Sequence, residues 1–126
     1  MKRVVVYCRV STDHEDQKNS LENQRLYFEE FVGQHKDWKL VEIYADEGIS
    51  GTSLKKRNAF NRMYRDGSKK KFDIILTKEV CRFARNTVDT LEKTRELKKW
   101  GIEVRFIIDN ISTFDTDGEL RLTIMA

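Results

Sequence analysis

In Tyr7-Cys8-Arg9-Val10-Ser11-Thr12 a serine stands two residues after an arginine, directly beyond the apolar run Val4-Val5-Val6. A buried strand that breaks into such a polar turn is a place to hold an anion. Further arginines stand at Arg57, Arg82 and Arg85, and the last two, three residues apart, share a face of a helical turn. Guanidinium forks grip phosphate oxygens bidentately and stay charged at any working pH. A hydroxyl among up to four of them describes a phosphoryl site, where they ease formation of an alkoxide and offset the charge of a pentacovalent transition state.

Other chemistries fit less well. No histidine is placed to partner Ser11 in a hydrolase triad, since His14 lies in its own loop and His35 near a helix end. There is no GxxxxGK[ST] loop for a nucleotide. A cysteine phosphatase places an arginine six residues after its cysteine, and those positions hold His14 and Thr87. A two-metal nuclease wants convergent carboxylates; Asp46 and Asp109 are candidates, but the arginines outnumber them. Cys8 and Cys81 belong to no metal-ligand spacing, so no metal or other cofactor is expected. The competing structural reading makes Ser11 a turn residue and the arginines a surface salt-bridge network. The competing functional reading is a non-catalytic α/β module that binds phosphate or a protein partner.

Residues so far apart in sequence must be brought together by the fold. Strands are expected at Arg3–Tyr7, Leu40–Ala45, Phe72–Leu76 and Ile102–Ile108. Helices are expected after each of the first three strands. The first starts with Ser20 as N-cap and Glu22 suited to the dipole, and its inner stripe of Leu21, Gln24, Phe28, Phe31 and Val32 spans an arc of roughly 100°. Gln24, an amide within an apolar stripe, either is satisfied structurally or is aimed at a site. The second helix is expected to be capped by Asn58, to turn Phe60, Met63 and Tyr64 inward and to end near Gly67. The third runs from an Asn86 or Thr87 cap through Trp100 to Gly101 at C′. Lys55, Lys56, Arg57 and Arg62 suggest a mobile basic loop, and Lys69-Lys70-Lys71 a solvated connection.

This alternation argues for a three-layer α/β/α domain with a mainly parallel sheet of four to five strands. In such sheets the strand-to-helix loops emerge at one carboxyl-terminal edge, where ligands bind. Arg9, Ser11, Asp46, Arg57, Arg82, Arg85 and Asp109 are thereby expected to meet.

The 126 residues suffice for one core and are too few for two comfortable domains. A charged fraction of 36% and a mean hydropathy of −0.65, with clustered aromatic and branched residues, describe a soluble globular chain. The net charge of +3 permits nucleic-acid binding without demanding it. No apolar run approaches the about eighteen residues of a membrane span. Nothing at the N-terminus reads as a signal peptide, so a cytoplasmic, reducing setting is expected.

Tyr7 to Thr12, Ser20-Leu21-Glu22-Asn23-Gln24, Asp46 to Gly51, Arg82-Phe83-Ala84-Arg85-Asn86 and Phe106 to Thr113 occur in an order that resembles the N-terminal catalytic domain of the serine recombinases, the resolvase/invertase family. The Arg-Phe-Ala-Arg-Asn run is most similar to the large members. The resemblance spans the whole chain and implies site-specific DNA recombination through a 5′-phosphoserine link, with strands rejoined without ATP. By position Ser11 matches the nucleophile, Arg9, Arg82 and Arg85 the phosphate-binding arginines, Arg57 the mobile-loop arginine and Gln24 the active-site glutamine. Asp46, Tyr7 and Gln17 match supporting positions. Small resolvases carry an aspartate where Cys81 stands, so the resemblance assigns no general base or acid here, and Cys81 reads as a packing residue.

The family also implies double-stranded DNA sites as partner, and a homodimer and tetramer in the full-length protein. Its long dimerisation helix would begin at about 117–126, and the tail Glu119 to Ala126 reads as the opening of such a helix. A fragment of a longer protein, with weak DNA affinity and little activity alone, is therefore expected.

Overall fold

Consecutive valines are stable as a strand only where both faces are covered. In the computed structural model, which describes residues 1–11, 20–48, 57–79, 83 and 87–125 (Ser11, Gly48 and Met125 by backbone alone), they lie at the centre of β1 (Lys2–Ser11). Successive residues of β1 feed two cores. Val5 and Tyr7 join Phe60, Met63, Phe83, Leu97 and Phe106, while Val4, Val6, Cys8 and Val10 join Phe28, Val32, Ile74 and Leu76.

Around β1 lie β2 (Trp38–Gly48), β3 (Ile74–Thr77), β4 (Glu103–Phe106) and β5 (Ile111–Ser112), in the order β2-β1-β3-β4-β5. The first four are parallel and the two-residue β5 returns antiparallel to β4. Helix α1 (Leu21–Gly33) covers one face; α2 (Asn58–Ser68), α3 (Thr87–Lys99) and α4 (Gly118–Met125) supply the core on the other. This is the expected three-layer architecture with its mainly parallel sheet.

β1 and β2 are longer than the apolar runs that announce them. Parallel pairing carries both to their polar ends, with Arg9 opposite Asp46 and Ser11 opposite Gly48, so Arg9 and Ser11 close a strand and do not form the expected turn. The register shifts between Val4, opposite Leu40, and Val5, opposite Glu42, leaving Val41 as an extra, half-exposed residue. A single added residue reverses which side chains face which side. Before the bulge Trp38 and Leu40 pack on the α1 face; beyond it Ile43 and Ala45 do, and Tyr44 turns to the α2 face. The third and fourth strands are shorter than expected, because Phe72 and Ile102 pack into the core outside the ladder and 107–110 forms a turn with Asn110 at φ 53°.

Helix ends follow local signals where the signal is local. Ser20 Oγ accepts the Asn23 amide at 3.2 Å, as expected of the N-cap of α1. At the end of α3 the Ile102 amide reaches Leu97 O and the Gly101 amide reaches Lys98 O, with Gly101 at φ 79°, so the expected C′ glycine closes a Schellman motif. Helix α2 ends at Ser68, near Gly67 as expected; Gly67 itself lies inside the helix, where a Cβ would meet Ile102 and Leu97 methyls at 3.2 Å, and Lys70 takes the left-handed position at φ 56°. One expectation fails. Leu21 is 48% exposed despite its azimuth, because a first-turn side chain leans back past the helix start. No described helix is long and apolar enough to cross a membrane.

Candidate active site at the carboxyl edge of the sheet

Asp46 stands at the polar end of β2, 7% exposed, on the side of the sheet the bulge assigns to Tyr44. Its carboxylate accepts the Tyr7 hydroxyl at 2.8 Å through Oδ2, the Ala59 amide at 2.8 Å through Oδ1 and the Phe60 amide at 3.1 Å through Oδ2. Asn58, the expected cap, is the first helical residue, and Arg57 at the N-cap position makes no side-chain cap bond. The cap comes from another strand. A carboxylate suits the positive end of a helix.

Tyr7 is fully buried, its ring edge-on to Phe60 at 5.2 Å and to Phe83 at 6.2 Å. Burial pushes its pKa well above the usual tyrosine value; the Arg57 guanidinium beside it works the other way without prevailing. Tyr7 is therefore a neutral donor committed to Asp46. Cys8, on the opposite face of β1, is 4% exposed, and burial, aided by the Asp46 charge, pushes its thiol up to about 12. It is no nucleophile at neutral pH.

Arg57 departs furthest from expectation. In place of a mobile, solvated side chain the structure holds it 9% exposed, with its guanidinium carbon 3.9 Å from the Phe60 ring centroid and 5.7 Å from that of Tyr7. One terminal nitrogen donates to the Phe83 carbonyl and the other lies 3.7 Å from Asp89 Oδ2 in the first turn of α3. Its Nε finds no hydrogen-bond partner among the described residues, a cost of about 1–3 kcal/mol for a buried donor. Arg62, expected in the same loop, lies on α2, paired with Glu42 at 3.1 Å and placed over the Tyr44 ring.

Gln24 resolves its two readings in part. At 3% exposure its Nε2 donates 3.0 Å to the backbone carbonyl of Arg9, tying α1 to the end of β1. The described residues thus bring together Tyr7, Arg9, Gln24, Asp46 and Arg57, with the Ser11 backbone closing β1 beside them. Gln17, Cys81, Arg82 and Arg85, and the side chain of Ser11, lie outside the described residues. Asp109 belongs to the turn after β4, whose carbonyls at Asp109 and Asn110 accept Arg121 of α4. The residue missed from sequence is Asp89. An acid in a first helical turn ordinarily signals only dipole compensation.

Fold and edge together define a doubly covered parallel-sheet domain with arginines at its ligand-binding end. The chain belongs to the family described as "Resolvase, N terminal domain", whose sequence model matches residues 4–126. Among solved structures it is similar to the N-terminal catalytic domain of TP901-1 integrase, with a TM-score of 0.76, 31% identity and coverage of 98% of this chain and 91% of that one. A resolvase family site-specific recombinase from Streptococcus pneumoniae gives 0.79 and 31%, over 98% and 85% of the two chains. Among curated proteins it is 32% identical over 104 residues to a putative DNA recombinase of Bacillus subtilis (strain 168), and 39% identical over 54 residues to the transposon Tn3 resolvase of Escherichia coli. Those matches cover 82% and 43% of this chain, and 20% and 29% of the relatives' lengths.

Proposed function

We propose that this chain is the catalytic domain of a site-specific DNA recombinase that cuts and rejoins strands through Ser11. The observation that carries the reading is the paired ends of β1 and β2, where Ser11 closes the strand two residues beyond Arg9, opposite Gly48 and beside the Asp46–Tyr7–Arg57 cluster, in a chain of the resolvase family.

In the proposed step the Ser11 oxygen attacks a DNA phosphorus and its proton leaves. The bond from phosphorus to the 3′ oxygen breaks, and that oxygen takes up a proton. The products are a 5′-phosphoserine ester and a free 3′-hydroxyl. Because ester replaces ester, a 3′-hydroxyl from another strand can reverse the step without ATP. Arg9, Arg82, Arg85 and Arg57 are assigned to the phosphate oxygens, where oriented guanidinium groups act on charge that grows in the transition state. Gln24 positions the end of β1 through the Arg9 carbonyl, and Tyr7 and Asp46 position the start of α2; Gln17 is assigned a supporting place. Tyr7 and Cys8 are unsuited to take the serine proton at neutral pH, given the raised pKa of each. The whole of 1–126 is assigned to the catalytic domain, and α4 to the start of a dimerisation helix. Double-stranded recombination sites, a dimer and a tetramer are the partners that follow, in the cytoplasm.

The test uses the complete reading frame that carries this chain, with Ser11→Ala. Covalent protein–DNA adducts are expected to vanish while binding to the site persists. Adducts that survive the substitution would return the chain to the class of non-catalytic phosphate- or partner-binding modules.

A further inference from the structure

An arginine that is to hold a DNA phosphate must present N–H groups to solvent, and Arg57 is only 9% exposed. One terminal nitrogen serves the Phe83 carbonyl, the other faces Asp89, the guanidinium face lies on Phe60, and the buried Nε has no hydrogen-bond partner among the described residues. Two features make this arrangement reversible. The ion pair at 3.7 Å is longer than a direct charged hydrogen bond, and the unmet Nε works against the buried position. A phosphate, by contrast, accepts two guanidinium N–H groups at once.

We propose that Asp89 is a latch that holds Arg57 stowed in the aromatic box of Tyr7, Phe60 and Phe83, and that DNA phosphate competes the arginine out of it. The inference rests on the recombinase reading and adds to it a positioning residue on α3. Because α2 begins next to Arg57 and α3 carries Asp89, a shift of either helix changes the latch. Arg57 thereby becomes available only when the domain is engaged.

Two measurements test the latch. The first is modification by phenylglyoxal, mapped by mass spectrometry on this chain. Arg57 is expected to react more slowly than the half-exposed Arg25 and Arg62. Asp89→Asn and Asp89→Ala should each accelerate Arg57 by about fivefold, the worth of roughly one ion pair, with Arg25 and Arg62 unchanged and Asp89→Glu restoring protection. Equal reactivity of Arg57 and Arg62 in the unsubstituted chain, or no acceleration in either variant, overturns the latch.

The second is single-turnover DNA cleavage by the complete reading frame at limiting DNA. The Asp89→Asn protein is expected to form adduct about fivefold faster. A loss as large as that of Arg57→Ala would show that Asp89 holds Arg57 in its working position, and overturns the stowed state. Normal cleavage by Arg57→Ala overturns the latch as a control while leaving the assignment of Ser11 standing.

Discussion

Asp46 links β1, β2 and α2 through one carboxylate, so its loss is felt in three places. Asp46→Ala removes a helix cap and leaves the buried Tyr7 hydroxyl without its acceptor; a loss of about 2–4 kcal/mol is expected in urea unfolding, with Asp46→Asn losing less. An unchanged midpoint would mean the cap is replaced from elsewhere. Alkaline pH probes the same region. Cys8, at about 12 against the usual thiol value of 9.0, and Tyr7 and Tyr44, both raised first by burial, keep protons in the folded state that the unfolded chain has released. The folded state then binds more protons, so stability is full below pH 9 and falls as pH rises towards 12. Urea midpoints should drop from pH 8 to 11, and Cys8→Ala should flatten the first part of that slope; a flat profile in the unsubstituted chain contradicts the burial account. Gln24 was legible in sequence as an amide out of place on an apolar stripe. Its partner was not, because a backbone carbonyl leaves no residue-type signal. The burial of Arg57 was hidden for a related reason, since its aromatic box is assembled from β1, α2 and Phe83.

Among the elements, those governed by local rules were readable. The Ser20 cap, the Gly101 C′ position and the doubly buried β1 each follow from residues within a few positions. What escaped reading depends on partners distant in sequence. The α2 cap is drawn from β2, so the nearby Asn58 was the natural but wrong candidate. The bulge at Val41 shows in sequence only as a lapse in alternation through Leu40-Val41-Glu42-Ile43, yet it decides which face Tyr44 takes. Deleting Val41 should make Leu40 and Glu42 consecutive opposite Val4 and Val5, leave Tyr44 and Asp46 on the α2 face and keep unfolding cooperative; loss of the cooperative transition would contradict the register argument. Gly118 is another such point. A Cβ there would collide with the Ser112 carbonyl, a backbone atom that cannot swing aside. Gly118→Ala is expected to cost about 1–3 kcal/mol and to raise amide exchange at Leu122, the buried anchor of α4. Unchanged protection there would show that α4 is docked by other contacts.

At the scale of the whole molecule, strand-helix alternation was enough to infer a mainly parallel sheet covered on both faces. The structure adds how the carboxyl edge of that sheet is braced: Gln24 from below the sheet, Asp46 from its side, and the aromatic box of Tyr7, Phe60 and Phe83 above it. Arg82 and Arg85 are assigned to the same phosphate by the family resemblance, and replacing either by alanine should slow cleavage by on the order of 10²-fold. Wild-type rates would return them to surface ion pairs. The central claim is that Ser11 carries the DNA during the reaction. It is tested most directly by trapping the adduct of the complete reading frame on a nicked recombination site, digesting both components, and sequencing the nucleotide-bearing peptide by mass spectrometry. The account predicts a 5′-linked nucleotide on the serine of Tyr7-Cys8-Arg9-Val10-Ser11-Thr12; a nucleotide on another residue, or a 3′ linkage, would contradict it.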